Sequence, residues 1–127
     1  MNTEEFVKSC KELDSIASHI AEAKRPAYSQ NEGTDITANF KRGAEAAGIE
    51  PLQAWLVHFE KQYSGIATYI RTGQQSEPIE SRFADVLNYL YLGFSLLKDS
   101  KSAEQDDNKP MSEDDLENYV NFIIKKK

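Results

Sequence analysis

From Leu52 to Ile70 the residues Leu52, Leu56, Phe59, Tyr63, Ile66 and Ile70 recur in steps of four and three without a break. Only an α-helix gathers such positions onto one side. Pro51 suits the first turn of this helix, where its missing N–H is not needed. Gly73 closes it, and Gly48 supplies a left-handed stop to the helix before it. The pattern predicts that these six apolar side chains form the inward face.

The rest of the chain is read around this helix. A first helix is expected from Thr3 to about Ala23, with Thr3 as its cap and Glu4 and Glu5 at the positive end of its dipole. Phe6, Cys10, Leu13, Ile16 or Ala17, and Ile20 make its buried stripe. Lys24-Arg-Pro is expected to end it, because the residue before proline disfavours helical geometry. A polar loop over 27–34 follows, then a short helix capped by Asp35 and ending at Ala47, with Phe40 and Ala44 inward. A further helix starts at Ser76 or Glu77, with a core stripe of Ile79, Phe83, Val86, Leu90, Phe94 and Leu97. Residues 99–111 are polar and acidic and read as a flexible tether. Ser112 caps a last helix carrying Leu116, Tyr119, Val120, Ile123 and Ile124, with Met111 against Leu116 as a staple. No β pattern stands out. The expectation is an all-α chain: a four-helix bundle-like core over 1–98, a linker over 99–111, and a C-terminal helix over 112–127 that docks on the core or a neighbouring subunit.

Bulk composition narrows the function classes. A net charge of −6 on 127 residues argues against general or sequence-specific nucleic-acid binding, which needs a basic face. The single cysteine, Cys10, excludes an intrachain disulfide and reads as a buried structural thiol. The chain opens with acidic residues rather than a signal sequence and has no membrane-spanning run, so no membrane partner and a cytoplasmic location are expected.

Chemistry is sought where polar groups share a helix face with apolar ones. On the helix after Pro78, Ser81, Asp85 and Asn88 fall on one side, opposite the expected core stripe, and Tyr89, Leu92 and Leu96 continue that side. Two readings stand: a pocket wall with Asp85 and Asn88 reading a polar ligand, or a solvated first half and a packed second half. Trp55, His58, Gln62 and Tyr69 form a flank of the third helix, either stacking on a base or packing on a neighbour. Lys24, Arg25, Lys41, Arg42, Arg71 and Arg82 form an anion site if they meet, and scattered surface charge if they do not. Glu60, Glu80 and Asp85 would hold Mg²⁺ only if brought together. No nucleophile motif, His-x-x-x-His pair or phosphate-cradling glycine loop is present, so no catalytic or zinc residue is assigned.

The order Lys24-Arg-Pro-Ala-Tyr28, Asn39-Phe40, Glu60-Lys61, then Glu77 to Tyr89 with Asp85, Asn88 and Tyr89 resembles small helical bacteriophage proteins. Among these is the domain called "nucleotide modification associated". Ala27 stands where the pattern has an acid, and Glu60 where it has Asp. The resemblance implies a phage setting, hence the host cytoplasm, and a nucleotide-related role. A more distant likeness is to the all-helical nucleoside triphosphate pyrophosphohydrolases. Glu77-x-x-Glu80 fits their metal helices, but no Glu-x-x-Glu stands on the third helix.

The leading expectation is a homo-oligomeric protein that binds a nucleotide or nucleotide-derived signal without catalysis or cofactor, for nucleotide handling or counter-defence capture. Lys24, Arg25, Tyr28, Lys61, Arg82, Asp85 and Asn88 are its expected ligand-binding residues. The alternatives are an interaction module acting on a host or phage protein, and a Mg²⁺-dependent pyrophosphohydrolase.

Overall fold

The computed structural model describes residues 1–28, 35–102 and 111–126. Those residues form α1 (Thr3–Tyr28), α2 (Ala38–Ala47), α3 (Pro51–Thr72), α4 (Ile79–Ser102) and α5 (Glu113–Lys126), with no strand among them. The chain divides into two compact units, Met1–Leu97 and Lys98–Lys127. The all-α expectation is met, and no helix among the described residues is long and apolar enough to cross a membrane.

Local chemistry explains most boundaries. Asn2, not Thr3, caps α1: its Oδ1 accepts the Glu5 N–H at 2.8 Å, and Glu5 Oε2 accepts the Asn2 N–H at 2.8 Å. This reciprocal pair satisfies two backbone donors at once. The expected stop at Lys24-Arg-Pro does not occur, and α1 runs through Pro26 to Tyr28. Proline costs one backbone hydrogen bond near the end of the helix. The burial of Tyr28 and the ion pair of Lys24 with Asp85 at 3.2 Å both depend on those last turns and offset that cost.

Asp35 does not cap α2 directly; the cap position is Thr37. Asp35 Oδ1 accepts from the Thr37 N–H at 3.0 Å and from its hydroxyl at 2.8 Å, which ties down the chain just before the helix. Lys41 donates to the same carboxylate at 2.8 Å and, with Thr37, holds its pKa below the usual range. Gly48 and Gly73 adopt φ of 70° and 73°, the left-handed conformation expected of the two helix stops. Before α3, the Glu50 N–H donates to Gln53 Oε1 at 2.9 Å.

α4 begins at Ile79, two to three residues later than expected, and runs on to Ser102. The sequence from Lys98 to Ser102 contains neither proline nor glycine, so nothing local stops the helix there. The rest of the expected tether, 103–110, lies outside the described residues. In the second unit Ser112 Oγ accepts the Asp115 N–H at 3.1 Å, as the capping motif predicts.

The main correction concerns which faces turn inward. In α3, Leu56, Tyr63 and Ile70 are exposed, at 48%, 60% and 74%. In α4, Phe83, Leu90, Phe94 and Leu97 are exposed as well. The buried positions of α4 are Ala84, Asp85, Asn88, Leu92, Gly93 and Leu96. In α3 the flank residues Trp55, His58 and Gln62 meet neighbours beside the buried Ala54, while of the stripe Leu52 packs against the core and Phe59 and Ile66 are half-buried. Small residues decide this. Ala17, Ala44, Ala54, Ala84 and Gly93 let backbones come close, and Trp55 fills the remaining space by lying on Gly93. Along α1, Leu13, Ile16, Ala17 and Ile20 turn inward as expected, whereas Phe6 and Cys10 are exposed. Residues 1–12 are exposed throughout, so the thiol has nothing to bury it.

Candidate functional site

A polar cluster surrounded by aromatic rings is built where the end of α1 meets α2, α3 and α4. Phe40 of α2, 1% exposed, is its apolar anchor, packed with Tyr28, Leu92 and Leu96. Tyr89 of α4 is the hub. Its ring meets Tyr28 edge-on at 6.5 Å and Phe40 edge-on at 6.0 Å, and it stacks on His58 at 6.4 Å with planes 18° apart. Such edge-on and offset geometries suit the quadrupoles of aromatic rings. Trp55 reaches from α3 to donate to the Tyr89 carbonyl at 2.6 Å.

The polar members follow from the helix faces. Asp85 and Asn88 lie one turn apart on α4 and are both 4% exposed. Asp85 Oδ1 accepts from Lys24 Nζ at 3.2 Å. The lysine side chain is half-exposed, while that of Asp85 is almost wholly buried, so the charge is compensated where it is most desolvated. Asn88 donates to the Ala17 carbonyl at 2.8 Å and locks α4 to α1. Among the described residues, the buried side-chain atoms Tyr28 Oη and Gln62 Oε1 have no hydrogen-bond partner.

Electrostatics favour neutral phenols here. Burial, with the neighbouring Tyr89 and Asp85 adding to it, pushes the Tyr28 pKa from 10.0 to about 12. Burial also raises Tyr89, against the opposing pull of the Lys24 charge and a hydrogen bond from Gln62. For Tyr28 the sign runs one way: the protonated phenol is the form the fold prefers. Below pH 10 the phenol is neutral folded and unfolded and costs the fold nothing by titration; as pH rises from 10 toward about 12, the unfolded chain ionises first and stability falls. A shift of that size corresponds to about 2–3 kcal/mol. Tyr28→Phe is expected to flatten the fall in stability between those pH values, as read by denaturant unfolding at alkaline pH.

Beside the cluster lies a cavity of about 300 Å³, walled on α1 by Glu22, Arg25 and Tyr28 and on α4 by Asn88, Tyr91 and Leu92. That volume is at the small end of ligand sites. Arg25 pairs with Glu22 at 3.2 Å along its rim.

Of the expected binding residues, Lys24, Arg25, Tyr28, Asp85 and Asn88 converge on this region. Arg82 does not. Its guanidinium turns toward the start of α4, pairing with Glu77 at 3.3 Å and donating to Ser76 at 2.8 Å, while its stem lies over Gly65. Lys61 is exposed, and no described contact ties it to the cluster. It sits outside because His58 and Gln62 occupy the inward face of α3 at those turns. Glu60, Glu80 and Asp85 are not gathered either: among the described residues no group of three or more His, Cys, Asp or Glu side chains is placed to share a metal. Sequence reasoning missed Glu22 and Tyr91. Glu22 and Arg25 with Ser18, at helical spacing, become visible as one wall only when α1 is carried through Pro26. Compared with protein-family models, curated proteins and solved structures, the chain matches none.

Proposed function

We propose that this chain binds a small nucleotide-like molecule in the cavity between α1 and α4 and does not transform it. The observation that carries the reading is Tyr28. It is 6% exposed, walls the cavity, and keeps a buried hydroxyl with no hydrogen-bond partner among the described residues. An orphaned buried hydroxyl costs free energy, and such costs are tolerated where a ligand or ordered water meets the group. The surroundings supply the remaining contacts: the Tyr28 and Tyr91 rings as apolar walls, Asn88 as an amide, and Arg25 as a cation that an anionic group would draw from Glu22. Among the described residues no carboxylate set is gathered for Mg²⁺, which favours binding over pyrophosphate cleavage. A phage setting, and capture of a host immune messenger, rest on the resemblance carried by Lys24–Tyr28, Asn39-Phe40, Glu60-Lys61 and Glu77–Tyr89.

Titration calorimetry against mononucleotides and cyclic dinucleotides tests the proposal. At least one member should release or take up heat. Arg25→Ala should weaken that binding about ten- to a hundredfold, the scale of a charged hydrogen bond. Tyr28→Phe should weaken binding several-fold while leaving the free protein equally or more stable, since it removes an unsatisfied group. Silence from every member of the panel removes the proposal.

A further inference from the structure

α3 and α4 are antiparallel neighbours: Trp55 meets Tyr89 and Gly93 near one end, and Gly65 meets Arg82 near the other. On one side this hairpin is covered, α3 by α2 through the His58–Phe40 contact and α4 by α1 through Asp85 and Asn88. Counting 100° per residue, Leu56, Tyr63 and Ile70 of α3 and Phe83 and Leu90 of α4 project from the other side. All five are 47–74% exposed. Beneath them Phe59, Ile66, Ile79 and Val86 are half-buried and form the floor between the two helices. No charged residue interrupts either row.

We propose that this face is the contact surface between two copies of the chain. Two α3–α4 hairpins would pack across it to close a four-helix bundle about a two-fold axis running along the helices.

Three observations select a second copy. The four-and-three spacing, kept over both helices, is the knobs-into-holes repeat of bundle seams. At roughly 200 Å² for a side chain of this size, the five exposed residues present about 550 Å². The floor residues bring that close to the ~800 Å² per partner of a stable interface. The rim is self-complementary. Arg71 ends α3 and Glu80 begins α4, both are exposed, and they sit at the same end of the hairpin on opposite outer edges. The proposed axis sets α3 of one copy beside α4 of the other at equal height, so Arg71 meets Glu80 of the partner subunit twice over. The inference stands apart from the ligand-binding proposal.

Sedimentation velocity of the full chain across a concentration series tests it. The wild type should reach dimer mass. Leu90→Glu and Tyr63→Glu should each give a monomer with unchanged far-UV helicity. Arg71→Glu and Glu80→Lys should each weaken the dimer roughly two- to tenfold, since exposed pairs are individually weak. The double charge swap should restore wild-type dimerisation, a recovery that damage to the fold would not give. A wild type that stays monomeric at every concentration, a dimer indifferent to Leu90→Glu, or a charge swap that fails to recover would each overturn the proposal.

Discussion

Phe40→Ala lowers the stability of the folded chain by about 3–5 kcal/mol, the range for deleting a fully buried phenylalanine. Phe40 is 1% exposed and belongs to a small cluster with Tyr28, Leu92 and Leu96. Its ring also makes the edge-on contacts to His58 and Tyr89, so it ties α2 to both α3 and α4. A domain of this size commonly has 5–15 kcal/mol in total, which makes the loss a large share. Urea unfolding measures it. Phe40→Leu should lose clearly less, because most of the volume is kept. A loss under about 1 kcal/mol for the alanine variant would mean that α2 is held by something else.

Gly93→Ala is expected to destabilise the chain by about 1–3 kcal/mol, although alanine is the better helix former. A Cβ at position 93 would lie 2.5 Å from Trp55 Cε2 and 2.6 Å from its Cζ2. The indole is rigid, and its N–H is bonded to the Tyr89 carbonyl at 2.6 Å. The ring cannot retreat without giving up that bond and its stacking on Phe59, whose centroid is 5.0 Å away. Trp55→Leu in the Gly93→Ala background should recover part of the loss, because the obstacle and the intruder are then both smaller. Thermal unfolding of the two single variants and the double variant forms the cycle that checks this. Additive losses would place the strain elsewhere.

The elements were legible in the sequence where punctuation is local. Gly48, Pro51 and Gly73 act through their own backbone preferences, and each sits where expected. Ser112 before α5 is of the same kind. Orientation was not legible. A repeat such as Leu56, Tyr63 and Ile70 shows that side chains share a face but not which neighbour that face meets. In α3 and α4 the longer apolar rows point away from α1 and α2, and close approach through Ala54, Ala84 and Gly93 defines the interior. The same inversion explains the mixed result at the site. Asp85 and Asn88 stand out in the sequence as polar groups on an apolar face, and both are buried there. Charge points to Arg82 and the resemblance points to Lys61 through Glu60-Lys61, but neither signal says which way the side chain turns. Pro26 misleads in the other direction: the Lys24–Asp85 ion pair at the expected stop and the burial of Tyr28 two residues past the proline favour the helix continuing through it.

The bonds that hold α1 to α4 join residues far apart in the chain: Asn88 to Ala17, 71 positions away, and Asp85 to Lys24, 61 positions away. α2 and α3, by contrast, follow one another across a three-residue elbow of Gly48, Ile49 and Glu50. During synthesis at about 5–20 residues per second, the first helix therefore leaves the ribosome some 4–14 seconds before its docking partner exists. In that interval α1 has no native neighbour on α4, and its apolar residues depend on local helix formation or on a chaperone. Assembly of the nascent chain should proceed from the middle outward, with the earliest-made segment among the last to be fastened.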